Sequence, residues 1–168
     1  MKLPSDTEIN PHPGCPAGQR VVKMFSGKTL EEAEGLFRED GLSRQEDLMH
    51  MGPLGFIFYF PAALRYLKSP MSSGDSSFVS SMTGLLEWRV LGEYEDYDQI
   101  RSARTEMIEF CNRLIEHYDF YGVDIDIYGD LRPYLEKLLD KLQAERPRSS
   151  SGAAPITTVV ARFAGGLP

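Results

Sequence analysis

Residues 98–118 read Asp98-Gln99-Ile100-Arg101-Ser102-Ala103-Arg104-Thr105-Glu106-Met107-Ile108-Glu109-Phe110-Cys111-Asn112-Arg113-Leu114-Ile115-Glu116-His117-Tyr118. The apolar positions Ile100, Ala103, Met107, Ile108, Cys111, Leu114, Ile115 and Tyr118 are separated by three, four or one. That spacing keeps one face of a helix apolar and is incompatible with the strict alternation of a half-buried strand. Asp98 stands where an N-cap belongs. Cys111 falls on the apolar face, which makes it a core thiol. The same pattern returns downstream: Leu131, Tyr134, Leu135, Leu138, Leu139 and Leu142 form a stripe, Asp130 can cap it, and Pro133 falls in the first turn, where proline is tolerated.

Upstream the helical signals continue. Thr29-Leu30-Glu31-Glu32 is a capping box opening a helix through Ala33, Leu36 and Phe37. Asp40-Gly41 predicts its end, with Gly41 in a left-handed cap. Ser43-Arg44-Gln45-Glu46 repeats the capping-box pattern, and Gly52-Pro53 stops the helix it opens. Phe56-Ile57-Phe58-Tyr59-Phe60 reads equally as buried strand or buried helix, because periodicity does not separate the two in so short a run. Pro61 disfavours helical geometry at Phe60 and can seed a helix after it. Asp75 can cap a helix through Phe78, Val79, Met82, Leu85 and Leu86. These elements predict a mainly α, single compact domain over residues 20–146, with short strands near Trp88–Leu91 and Val123–Ile127 as the α+β alternative. Residues 1–19, with Pro4, Pro11, Pro13, Pro16, Gly14 and Gly18, read as an irregular leader. The run Ser149-Ser150-Ser151-Gly152-Ala153-Ala154-Pro155 makes residues 147–168 a flexible or weakly docked tail.

With 168 residues the chain can bury enough surface to fold without disulfides or metals. Its 18 basic and 25 acidic side chains give a net charge of −7, which argues against a nucleic-acid partner. The longest apolar stretch, Leu54 to Leu64, is too short to span a bilayer, and no signal-peptide core opens the chain. Two distant cysteines, Cys15 and Cys111, suit a reducing, cytoplasmic setting. The acidic excess is local. Glu93-Tyr94-Glu95-Asp96-Tyr97-Asp98 puts four carboxylates and two tyrosines into six residues. Such a segment suits a basic protein surface, with the carboxylates steering the encounter and the tyrosines adding rigid contact area. Glu93, Tyr94, Glu95, Asp96 and Tyr97 are therefore the expected partner-binding residues.

Signals for catalysis are sparse. Asp124-Ile125-Asp126, if extended, would turn both carboxylates to one side of a strand and could hold Mg²⁺ or Mn²⁺ for phosphoryl or glycosyl transfer. Gly27-Lys28-Thr29 resembles the end of a phosphate loop, but Val22 stands where that motif requires glycine. His12-x-x-Cys15 could supply two zinc ligands, yet no second pair follows it. No Gly-x-Ser-x-Gly turn marks a nucleophile. Cys111 and His117, six residues apart on one helix, fall on poorly matched faces. No catalytic residue and no cofactor are expected.

The segment Leu48-Met49-His50-Met51-Gly52-Pro53-Leu54-Gly55-Phe56-Ile57-Phe58-Tyr59-Phe60-Pro61-Ala62-Ala63-Leu64 is similar to that of a bacterial family of small proteins with an aromatic-aromatic-Leu-Pro-Ala motif after a Pro-x-x-Phe turn. Pro53, Phe56, Tyr59, Pro61 and Ala62 match, and Phe60 replaces the usual leucine. A later helix opening near a glutamine, as at Gln99, extends the likeness over roughly residues 20–120. The resemblance implies a bacterial source and carries over no catalytic residue. The function expected is that of a non-enzymatic cytosolic interaction protein, of the immunity or inhibitor kind, binding a basic protein through its acidic surface. A metal-dependent enzyme using Asp124 and Asp126, or an accessory subunit of a larger complex, are the alternatives.

Overall fold

Ten apolar or aromatic side chains between Phe56 and Leu67 cannot all be hidden by one face of an isolated element, and the chain solves this by placing that segment at its centre. In the computed structural model, which describes residues 2–92 and 96–144, helix α5 (Pro53–Lys68) is the axis. Packed around it are α1 (Asp6–Ile9), α3 (Leu30–Glu39), α4 (Gly41–His50), α7 (Asp96–Ile100) and α8 (Arg104–Glu116). Helix α2 (Pro16–Phe25) lies on α1 and α4, α6 (Ser76–Leu91) on α4 and α7, and α10 (Arg132–Ala144) on α6 and α8. The fold is all-helical, and the described residues contain no strand. The 56–60 run is thus helical, and Pro61 sits inside α5 rather than at its start. Proline there deprives the carbonyl one turn back of its donor, at a cost of roughly 3 kcal/mol. Complete burial of Phe56, Tyr59, Phe60, Ala62 and Ala63 offsets it, since each large side chain contributes roughly 1.5–3 kcal/mol.

Three tyrosine hydroxyls that enter this core are paired. The Tyr59 hydroxyl donates to the Phe25 carbonyl (2.6 Å), and burial pushes its pKa up to about 12. The Tyr66 hydroxyl donates to Asp75 Oδ2 (2.7 Å), while Asp75 Oδ1 accepts the Phe78 N–H and caps α6. The Tyr121 hydroxyl donates to the Leu67 carbonyl (3.0 Å). Cys111 is fully buried on α8, and desolvation raises its thiol to about 12, as suits a core position.

Several local expectations change. The Thr29 capping box forms, but α4 begins at Gly41 under an Asp40 cap, not at Ser43. Gly41 is helical and not left-handed; a Cβ there would stand 3.0 Å from the Tyr66 ring and 3.2 Å from Asp75 Oδ2, so it is packing that demands glycine. The stripe read over residues 98–118 is broken at Ile100, whose φ of −100° and ψ of 5° open a 3-10 turn before α8. Asp98 therefore lies within α7 and caps nothing in α8. The two segments proposed as strands are helical: Trp88–Leu91 ends α6, and Ile125–Tyr128 forms the single turn α9. The leader is not irregular throughout. A Ser5 capping box starts α1, and Ile9 is completely buried against α5. Residues 147–168 lie outside the described residues.

Candidate functional site

The short turn between α4 and α5 borders a concavity. Gly52 donates its N–H to the Ile9 carbonyl (2.8 Å), and a Cβ at this glycine would come within 2.7 Å of the Pro11 ring. Only glycine lets the segment after α1 lie this close. One wall of a groove follows from that contact, carrying Pro11, His12 and Cys15. The end of α4 supplies Met49 and His50, and α6 and α7 supply Trp88 and Gln99. The groove holds about 570 Å³ and is predominantly apolar.

Arg89 organises its floor. Its side chain is 2% exposed, and Nη2 donates to the carbonyls of Leu48 (3.0 Å), Met49 (3.2 Å) and Met51 (2.7 Å). Those carbonyls lie at the end of α4 and its C-cap, where helical geometry leaves acceptors short of donors; Leu48 also accepts the Met51 N–H (3.3 Å). The guanidinium also lies over the Phe56 ring (4.5 Å) and beside the Trp88 indole (5.7 Å). One buried cation thus ties α4, α5 and α6 together and holds the base of Trp88. The indole itself is 43% exposed and Met49 is 38% exposed. Sequence reasoning passed over both. The available signal was an inversion on α6: the stripe Met82, Leu85, Leu86 continues to Arg89, a charged residue in a core position, while the chain's one tryptophan falls off it.

The predicted partner-binding residues divide. Glu93, Tyr94 and Glu95 lie outside the described residues, as does the side chain of Asp96. Tyr97 is 7% exposed, with Lys141 Nζ 5.8 Å from its ring centroid, so it is a core residue and not a ready contact surface. Asp98 is exposed. The acidic run nevertheless starts one residue after Gly92, at the end of the helix that carries Trp88, and ends one residue before Gln99. Trp88, four residues before Gly92, and Gln99 both line the groove.

The aspartate pair has a local role instead. Asp124 Oδ1 accepts the N–H groups of Asp126 (2.9 Å) and Ile127 (3.3 Å), capping α9, and the stretch is not extended beyond it. The two carboxylates do not share one side of a strand. Among the described residues no group of three or more His, Cys, Asp or Glu side chains is placed to hold a metal ion; His12 and Cys15 remain a pair. Likewise, no described helix is long and apolar enough to cross a membrane. No family model, curated protein or solved structure matches the chain.

Proposed function

We propose that the protein is a non-enzymatic interaction protein of the inhibitor or immunity kind, whose groove takes a protein segment with an apolar anchor and basic flanks. The observation that carries this reading is the half-exposed Trp88 at the mouth of an apolar groove, with an acidic run strung between that helix and Gln99. Tryptophan on a rigid helix offers large contact area at little entropic cost, and such residues dominate binding energy. The carboxylates at Glu93, Glu95, Asp96 and Asp98 supply the complementary field that speeds encounter with a cation. Cys15 and Cys111 are both free thiols, which supports a cytoplasmic setting.

A synthetic peptide with one aromatic residue between lysine pairs is the direct probe, read through the fluorescence of Trp88. Binding is expected to weaken with added salt. Paired reversal of Glu93→Lys and Glu95→Lys slows association, whereas Trp88→Ala raises the dissociation rate. Binding that ignores salt, the reversal and Trp88 alike overturns the reading.

A further inference from the structure

The segment His12-Pro13-Gly14-Cys15 is held as a firm turn on the groove wall. The Cys15 N–H donates to the His12 carbonyl (2.9 Å), the His12 N–H to Asn10 Oδ1 (3.0 Å), and Gln19 Nε2 to the Pro13 carbonyl (2.8 Å). Asn10 is buried and lies against Gly18, where a Cβ would come within 2.4 Å of its side chain. A turn closed in this way brings its end residues within about 7 Å at Cα, so His12 and Cys15 are neighbours. Cys15 is the N-cap of α2, but its side chain makes no capping hydrogen bond and its thiol is free. The end of α4 contributes Met49, His50 and Met51 to the same groove, and Met49 is 38% exposed. The lining is thus rich in sulfur and imidazole and contains no carboxylate.

We propose that His12, Cys15 and Met49 form a binding site for a copper(I) ion. The donor set selects the metal. Zinc takes a full tetrahedral set of nitrogen, sulfur or oxygen ligands, and among the described residues His12 and Cys15 find no third histidine, cysteine or carboxylate placed to join them. Copper(I) is a soft ion that accepts thioether as well as thiolate and imidazole, so Met49 extends the pair for copper(I) where it does nothing for zinc. The charge balance points the same way. Cys15 binds as the thiolate, releasing its proton to solvent, and its complex with a monovalent ion is neutral. A divalent ion would leave a net positive charge in a predominantly apolar groove whose floor already holds the Arg89 guanidinium. The site goes beyond the docking of a protein segment and does not depend on it.

The full chain is titrated, with oxygen excluded, against the copper(I)–bicinchoninate complex, whose colour fades as the protein takes the metal. The expected result is uptake of one copper per chain, with quenching of Trp88, the sole tryptophan and a groove residue, at the same end point. Bound copper also protects Cys15 from iodoacetamide, while Cys111 is fully buried and gives no background. Cys15→Ser abolishes uptake. Met49→Leu and His12→Ala each weaken it by at least about ten-fold, the lower end of what loss of even an outer-shell partner costs. All three side chains are exposed or half-buried, so without copper the variants keep the melting temperature of the wild type. Protection of Cys15 is read on the unaltered chain and holds the proposal to account even where a variant fails to fold. Failure to compete with bicinchoninate overturns the proposal. So does uptake that Cys15→Ser or Met49→Leu leaves unchanged, or displacement of the copper by an equal concentration of Zn²⁺. Half a copper per chain, with sedimentation of the loaded protein as a dimer, overturns it as well, because the ion would then bridge two copies.

Discussion

Arg89 shows how one side chain can set both stability and site. Its guanidinium is buried, donates to three carbonyls at the end of α4, and faces two aromatic rings. Arg89→Ala removes the guanidinium donor from those carbonyls, of which Leu48 keeps the Met51 N–H, and opens a void beneath Trp88. The expected loss is about 3 kcal/mol in chemical denaturation, with Arg89→Lys intermediate, because an ammonium cannot reproduce the planar fork. Trp88 emission in the folded Arg89→Lys protein should shift as its support changes. The aspartates near the opposite end of the chain make the contrasting case. Because Asp124 already accepts two backbone N–H groups, millimolar Mg²⁺ or Mn²⁺ is expected to leave the melting temperature unchanged. A rise that disappears in Asp124→Asn/Asp126→Asn would restore the metal reading.

The helices are set off by carboxylates at their starts, and this makes their stability depend on pH. Backbone and side-chain hydrogen bonds from Thr29 hold Glu32 below its ordinary range of about 4.5, and those from Ser5 do the same for Glu8. Hydrogen bonding to Ser43 lowers Asp40, and the Arg132 side chain lowers Asp130. A carboxyl whose pKa is lower folded than unfolded stabilises the fold above its unfolded pKa, and that stability is lost as pH falls through the folded value. Asp47 runs the other way. Its side chain is wholly buried, and desolvation raises its pKa despite Arg44 at 3.0 Å and Arg20 at 3.1 Å, so protonation favours the folded state. With four lowered groups against one, stability should fall on acidification below about pH 4.5, and Glu32→Gln should make the fall shallower in urea titrations. The Thr29 and Asp75 starts were the most legible features of the sequence, each depending on three or four adjacent residues, and both stand where the sequence reading puts them, whereas the Ser5 and Asp40 caps were not read. What escaped was decided by distant neighbours. Pro61 is helical because five helices bury its flanks, Gly41 is chosen by Tyr66 and Phe78, and the break at Ile100 lies inside an unbroken helical stripe. The groove was illegible for the same reason, since its walls come from four separated segments joined through Gly52 and Arg89.

At the scale of the whole molecule, α10 contributes the last core positions among the described residues. Leu135, Leu138 and Leu142 of α10 are fully buried against α6 and α8, and Leu142 is the final buried position among the described residues. Ending the chain after Pro147 therefore removes none of those contacts. Loss of residues 148–168 is expected to leave the melting temperature within a few degrees. Removal of the last two turns of α10, residues 138–144, is different in kind. It exposes the partners of Leu138 and Leu142, and each such deletion costs about 2–5 kcal/mol, comparable to the total stability of a small domain. Calorimetry on the two truncations should thus separate sharply, with the first cooperative and shifted by a few degrees and the second without a transition. Collapse of the first would place a structural element in residues 148–168.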